Sequence, residues 1–224
     1  MNGQNEIERE TLRLNRRYLT EVVERFALCP WAPRSLSEGQ VVECVFQQEN
    51  ADDFTPSLDR LSELEGRLKI EVALFIYPLL GAGRLDFEHF ARGLRTLDHD
   101  RHEIGKVPFA LAVFHPDATP QLEDPERLIP FLRRSPYPTL QVVRTTALER
   151  VRGTEVEGTA YLDLELLGLP ALTGPAPLSL RERIARHNLT TVEREGVDAV
   201  EGVITSILRD RDETALRLGR PKRA

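Results

Sequence analysis

Val72-Ala73-Leu74-Phe75-Ile76-Tyr77-Pro78 is the stretch on which the fold turns. Six apolar residues follow one another without a polar break, and a proline stops them. A strand with one wet face would alternate, so an unbroken run of this length reads as a strand covered on both sides. Downstream, Phe87, Phe90, Leu94 and Leu97 recur every three or four residues and predict a helix. Phe109 to Phe114 is a second apolar run, read as another strand buried on both faces and ending at His115-Pro116. Upstream, Leu58, Leu61, Leu64 and Leu68 mark a helix over Ser57 to Leu68, and Val41 to Phe46 is a short β-branched strand. Glu126 to Leu132, with Pro130 inside it, is a short helix, and Thr139 to Val143 is a fourth strand. Strands alternating with helices over residues 41–145 predict an α/β fold. The expectation is a single layered domain: a mixed sheet of about four strands, helices on at least one face, and additional C-terminal helices.

Outside this region the helical period returns. Ile7, Leu14, Tyr18, Val22 and Phe26 define an amphipathic helix that Pro30 and Pro33 end around Cys29. Leu180 to Val192 and Val197 to Leu208 read as two more helices. Before them, Gly153 to Pro177 reads as an insertion or lid, with Tyr161 to Leu167 either strand or helix and Gly168 to Pro177 a turn-rich connection. The domain is expected to span 1–208, with 209–224 a charged, flexible tail.

The chain has 224 residues, 30 Lys+Arg against 36 Asp+Glu, and a net charge of −6. That balance gives little general attraction to nucleic acid or to anionic membranes, and neither is expected as a partner. No apolar run reaches transmembrane length, and the Glu- and Arg-rich start is unlike a signal peptide. Cys29 and Cys44, the two cysteines, can build neither a disulfide scaffold nor a four-thiolate zinc site. A cytoplasmic protein with reduced thiols is the expectation.

Three places combine stiff backbone with reactive side chains. In Leu28-Cys29-Pro30-Trp31-Ala32-Pro33, Cys29 is a candidate nucleophile. The C-terminal end of a helix raises a thiol pKa, so activation there needs a nearby cation. The alternative is a small buried hydrophobe. In Phe114-His115-Pro116-Asp117, at the end of a strand, His115 is a candidate general acid or base oriented by Asp117. The same pair, with Cys29, would serve as the ligands of a metal protein. The alternative is a capped strand end with His115 bonded to backbone. In Arg133-Arg134-Ser135-Pro136-Tyr137-Pro138, two guanidiniums precede a stiff corner, a combination suited to a carboxylate or phosphate. The alternative is a solvated helix end and a turn. Gly81-Ala82-Gly83-Arg84 lacks the spacing of a phosphate-binding loop and reads as a turn, and His89, His99 and His102 as solvent-facing.

Leu28-Cys29-Pro30-Trp31-Ala32, Phe114-His115-Pro116-Asp117 and Arg134-Ser135-Pro136-Tyr137-Pro138 together resemble a bacterial family, the domain of unknown function 1415 family. Trp31 stands where the family pattern has Phe, and Arg133 where it usually has Asn. A fainter likeness is Asn188, in Ala185-Arg186-His187-Asn188. The resemblance implies that Cys29, His115, Asp117, Arg134, Ser135 and Tyr137 share one site, and it supplies neither an activity nor a cofactor. The functional expectation is an enzyme performing hydrolysis or group transfer on a small anionic metabolite. Cys29, His115 and Asp117 would be catalytic, and Arg133, Arg134, Ser135, Tyr137 and Asn188 would bind substrate. The alternatives are a non-catalytic ligand sensor or accessory protein, and a metal-binding protein.

Overall fold

The computed structural model describes residues 2–29, 32–103, 105–118, 124–156 and 180–220. Among them the elements run α1 (Asn2–Tyr18), α2 (Ala32–Ser37), β1 (Val41–Val45), α3 (Thr55–Glu65), β2 (Val72–Ile76), α4 (Arg84–Asp100), β3 (Phe109–Phe114), α5 (Pro125–Leu132), β4 (Thr139–Arg144), α6 (Thr145–Val156), α7 (Leu180–Glu195) and α8 (Val197–Arg217). The fold is α/β with one mixed sheet and C-terminal helices. No described helix is long and apolar enough to cross a membrane.

The sheet order is β1-β2-β4-β3. β1 and β2 are parallel, joined through α3, and β4 runs antiparallel to both its neighbours. β2 is therefore central, which explains its unbroken apolar run. Val72, Leu74 and Ile76 enter a core with Leu14, Tyr18, Leu128 and Ile204, from α1, α5 and α8. Ala73, Phe75 and Tyr77 enter a second core with Leu61, Phe87, Phe90 and Leu94, from α3 and α4. Helices cover both faces, giving three layers.

Four expectations change. β3, read as buried on both faces, is an edge strand, and only Phe109 of its six residues is fully buried. The charged residues after Leu208 continue α8 to Arg217, with Arg211 and Thr214 buried, so 209–217 is helix rather than tail. Their charges are matched by α1: Arg13 donates through both terminal nitrogens to Asp210, at 2.8 and 2.7 Å, and Arg17 pairs with the same carboxylate. α6 starts directly where β4 ends, without the turn residues that would have announced it, and takes in 153–156 of the expected insertion. The rest of that insertion, including Tyr161 to Leu167, lies outside the described residues, as do Trp31 and residues 221–224. Finally, His102 is not solvent-facing: its ring meets the Asp98 carbonyl at 2.7 Å and Glu65 at 3.2 Å.

The first helix also departs from regularity where it matters for the site. Leu19–Glu24 form a π-helical turn, with the Arg25 amide donating to the Thr20 carbonyl at 3.1 Å. The wider turn lets both Val22 and Val23 face the core. The chain then leaves through Ala27 at a φ of 49°, a left-handed conformation unusual for a residue with a Cβ. The Leu28 amide donates to the Val23 carbonyl at 3.0 Å, which closes the helix end and delivers Cys29.

Candidate functional site

A cavity of about 350 Å³ lies between the sheet and helices α1, α5 and α7. Register explains its floor. Val41, Val72, Val143 and Ala110 form one cross-strand row, Leu74, Gln141 and Ala112 the next, and Thr139 and Phe114 a third. Ala110 and Ala112 stop at Cβ where their neighbours carry longer side chains, and that shortfall leaves room. Gln141 brings an amide between Leu74 and Ala112.

The walls carry most of the polar groups. Asn15 and Tyr18 come from α1, Cys29 from the corner after it, Arg133 from the end of α5, and Asn188 from α7. Tyr18 donates its hydroxyl to the Leu132 carbonyl at 2.6 Å, and burial pushes its phenol pKa up, so it stays neutral. Asn15 donates to Glu43 at 2.8 Å. The Arg133 guanidinium lies over the Phe114 ring, 5.2 Å from its centroid. Cys29 is half-buried on the wall, whereas Cys44 is buried in the other core, where desolvation pushes its thiol pKa up. His187 meets the Ala27 carbonyl at 3.3 Å and holds α7 against the Cys29 corner. Asn188 is 6% exposed, and its Oδ1 has no hydrogen-bond partner among the described residues.

The expected shared site divides. Cys29, Arg133, Ser135 and Asn188 line this cavity; His115, Asp117, Arg134 and Tyr137 do not. His115 is buried at the end of β3. Its Nδ1 accepts the Asp117 amide at 3.1 Å, so the ring proton sits on Nε2, which donates to the Ala82 carbonyl at 3.1 Å. That is the capped strand end, with both nitrogens bonded to backbone. The Asp117 carboxylate is 3.6 Å from Nδ1 and largely exposed.

The anion that Arg134 holds is Glu201 of α8 rather than a ligand. Its Nη1 reaches the two carboxylate oxygens at 2.8 and 2.6 Å, and its Nε donates to the Pro116 carbonyl at 3.0 Å. Arg134 thereby ties α8 to the His-Pro-Asp corner. Ser135 and Thr139 both donate to the Tyr137 carbonyl, at 2.6 and 2.8 Å, so the Ser135 hydroxyl proton serves the corner itself. Tyr137 lines a smaller cavity of about 220 Å³ beside Arg211, which donates to the Pro136 carbonyl at 3.2 Å. Among the described residues no three His, Cys, Asp or Glu side chains cluster so as to hold a metal ion.

Sequence reasoning missed Asn15, Tyr18 and Gln141 on the cavity. A signal existed for two of them. Gln141 is the polar residue that interrupts the β4 run Leu140-Gln141-Val142-Val143, and Asn15 adjoins the buried stripe of α1.

A family model described as a protein of unknown function (DUF1415) matches residues 10–157, more than half of the chain, and the chain belongs to that family. The Cys29, His115 and Arg134 motifs fall inside the matched span and Asn188 lies beyond it. No curated protein and no solved structure matches the chain.

Proposed function

We propose that this member of the family binds a small, mainly apolar molecule with an anionic head in the cavity between the sheet and helices α1, α5 and α7. The observation that carries the reading is the cavity itself: about 350 Å³, mostly apolar, with polar side chains from separate parts of the chain facing inward. Ligand pockets have this size and this mixture of an apolar lining with a few polar groups. Arg133 supplies positive charge on the wall. Its guanidinium carbon lies 5.2 Å from the Phe114 ring centroid.

A second reading, an enzyme with Cys29 as nucleophile, is favoured by the thiol standing on the cavity wall. It places the reaction away from His115 and Asp117, which do not line the cavity. Binding is thus the broader function, and group transfer or hydrolysis at Cys29 would be an elaboration of it.

A thermal-shift screen of small aromatic and aliphatic carboxylates tests both. Binding in the cavity should raise the melting temperature with ligand concentration, and Ala112→Leu, which fills the floor, should abolish the rise. A rise unaffected by Ala112→Leu would move the ligand elsewhere. Iodoacetamide should label Cys29 before Cys44, and a bound carboxylate should slow that labelling. If Cys29→Ser binds equally well and no ligand is turned over by the natural protein, the enzyme reading fails and the binding reading stands.

A further inference from the structure

We infer that the ligand of this cavity carries a hydroxyl or amide N–H group, which Asn188 receives. The inference rests on the binding reading above and narrows its ligand class. Asn188 lines the cavity from α7, is more than nine-tenths buried, and has an Oδ1 with no partner among the described residues. A buried acceptor left without a donor destabilises the protein that holds it, so such groups are rare unless something completes them. The neighbouring groups on α7 are used differently. His187 meets the Ala27 carbonyl, and Ala185 and Val192 are buried apolar residues. Thr191 is the other buried polar residue of α7 among the described residues, and Asn188 is the one with a buried oxygen lacking a partner there.

The chemistry of the amide decides what could complete it. A carboxylate accepts and does not donate, so the anionic head expected near Arg133 cannot satisfy Oδ1. An ester, an ether or a tertiary amide cannot either. The ligand class is therefore an apolar acid that also bears an O–H or N–H donor.

Matched probes test this: 2-, 3- and 4-hydroxybenzoate against the corresponding methoxybenzoates, titrated by NMR into the full chain. Each pair shares ring and acid and differs in the donor, and the three positions vary its distance from the acid. At least one hydroxybenzoate should bind about tenfold or more tightly than its methyl ether, as expected when a site built around a hydrogen bond meets an analogue lacking it. Asn188→Leu should erase that preference while leaving ligand-free thermal stability equal or higher, because the unpaired acceptor is gone. Asn188→Ala should also erase it, and serves if the leucine variant folds poorly. Binding of the six probes without donor preference, or a preference that survives both substitutions, overturns the inference and leaves the binding reading intact. If none of the six perturbs cavity resonances, the anionic-ligand reading fails and takes this inference with it.

Discussion

Against α3 and α4, the sheet presents Phe75 and Tyr77 to a set of rings that leaves no slack. Tyr77 lies 5.6 Å from Phe87 and 5.1 Å from Phe46, and Phe54 stacks on Phe90 at 5.2 Å. Even Gly93 takes part: a Cβ there would come within 2.7 Å of the Phe54 ring. Against α1, α5 and α7, the same strands present Val72, Leu74, Ala110, Ala112 and Gln141, and a cavity of about 350 Å³ remains. Here the surrounding helices are held by polar contacts at their margins: Arg13 and Arg17 on Asp210, Arg134 on Glu201, and Tyr18 on the Leu132 carbonyl. One face is filled by shape, while the other combines a buried apolar core with directional bonds and keeps a space. Close packing leaves no room for a guest, whereas side chains fixed at their ends can surround one.

The largest effect should come from breaking the filled face. Phe87→Ala removes a fully buried ring and should cost about 3–5 kcal/mol of stability, measured by denaturant unfolding. A loss below about 1 kcal/mol would mean that this core relaxes as easily as the hollow one. Next, Arg134→Gln leaves Glu201 without its partner. It should cost about 1–3 kcal/mol, since Arg134 is mostly buried and Glu201 is a little over a third exposed. Unchanged stability with weakened ligand binding would return Arg134 to the ligand-gripping role.

A smaller effect is expected from acid. Hydrogen bonds from Arg13, then Arg17, hold the Asp210 carboxyl down to about 2, below its ordinary value of 3.8. A depressed folded-state pKa contributes stability that is present above the unfolded value and lost as pH falls through the folded one. Stability should therefore decline between about pH 4 and pH 2, with Asp210 accounting for about 1–2 kcal/mol after allowance for its partial exposure. Asp210→Asn should flatten that part of the pH profile; an unaltered profile would detach the α1–α8 contact from acid sensitivity. Smallest of all, Ala112→Leu on the hollow side should change stability by less than about 1 kcal/mol, in either direction, because the added methyl groups enter existing space. A loss comparable to that of Phe87→Ala would show that the cavity floor cannot accept them.

Much of the fold was legible because periodicity reports burial. Val72 to Tyr77 read as a strand covered twice, and it forms one of the two inner strands of the sheet. Phe109 to Phe114 has the same letters and a different fate, since β4 inserts between β2 and β3 and leaves β3 at the edge. Nothing local in an apolar hexapeptide records which neighbour a distant strand will choose. The charged stretch after Leu208 misled for a related reason. Asp210 and Arg211 look solvated in sequence, and only the partner helix and the Pro136 carbonyl reveal where they bond.

The candidate site divides along the same line. Motif chemistry selected Cys29, Arg133 and Ser135, and the family resemblance Asn188, all on the cavity, together with His115, Asp117, Arg134 and Tyr137, which are elsewhere. Both sets are stiff, polar and placed at the ends of elements, and sequence alone cannot separate them, because a group that completes a corner and a group that awaits a ligand need the same donors and acceptors. The sequence determined the layers, most of the strands and helices, and a list of side chains able to form strong polar contacts. The tertiary structure decided which contacts are already made. Ala82, 33 residues from His115, supplies the acceptor for its ring, and Glu201, 67 residues from Arg134, supplies the carboxylate, while Asn188 Oδ1 meets no donor among the described residues. Hydrogen bonds are short-ranged and directional, so whether one forms depends on the few ångströms that only packing sets.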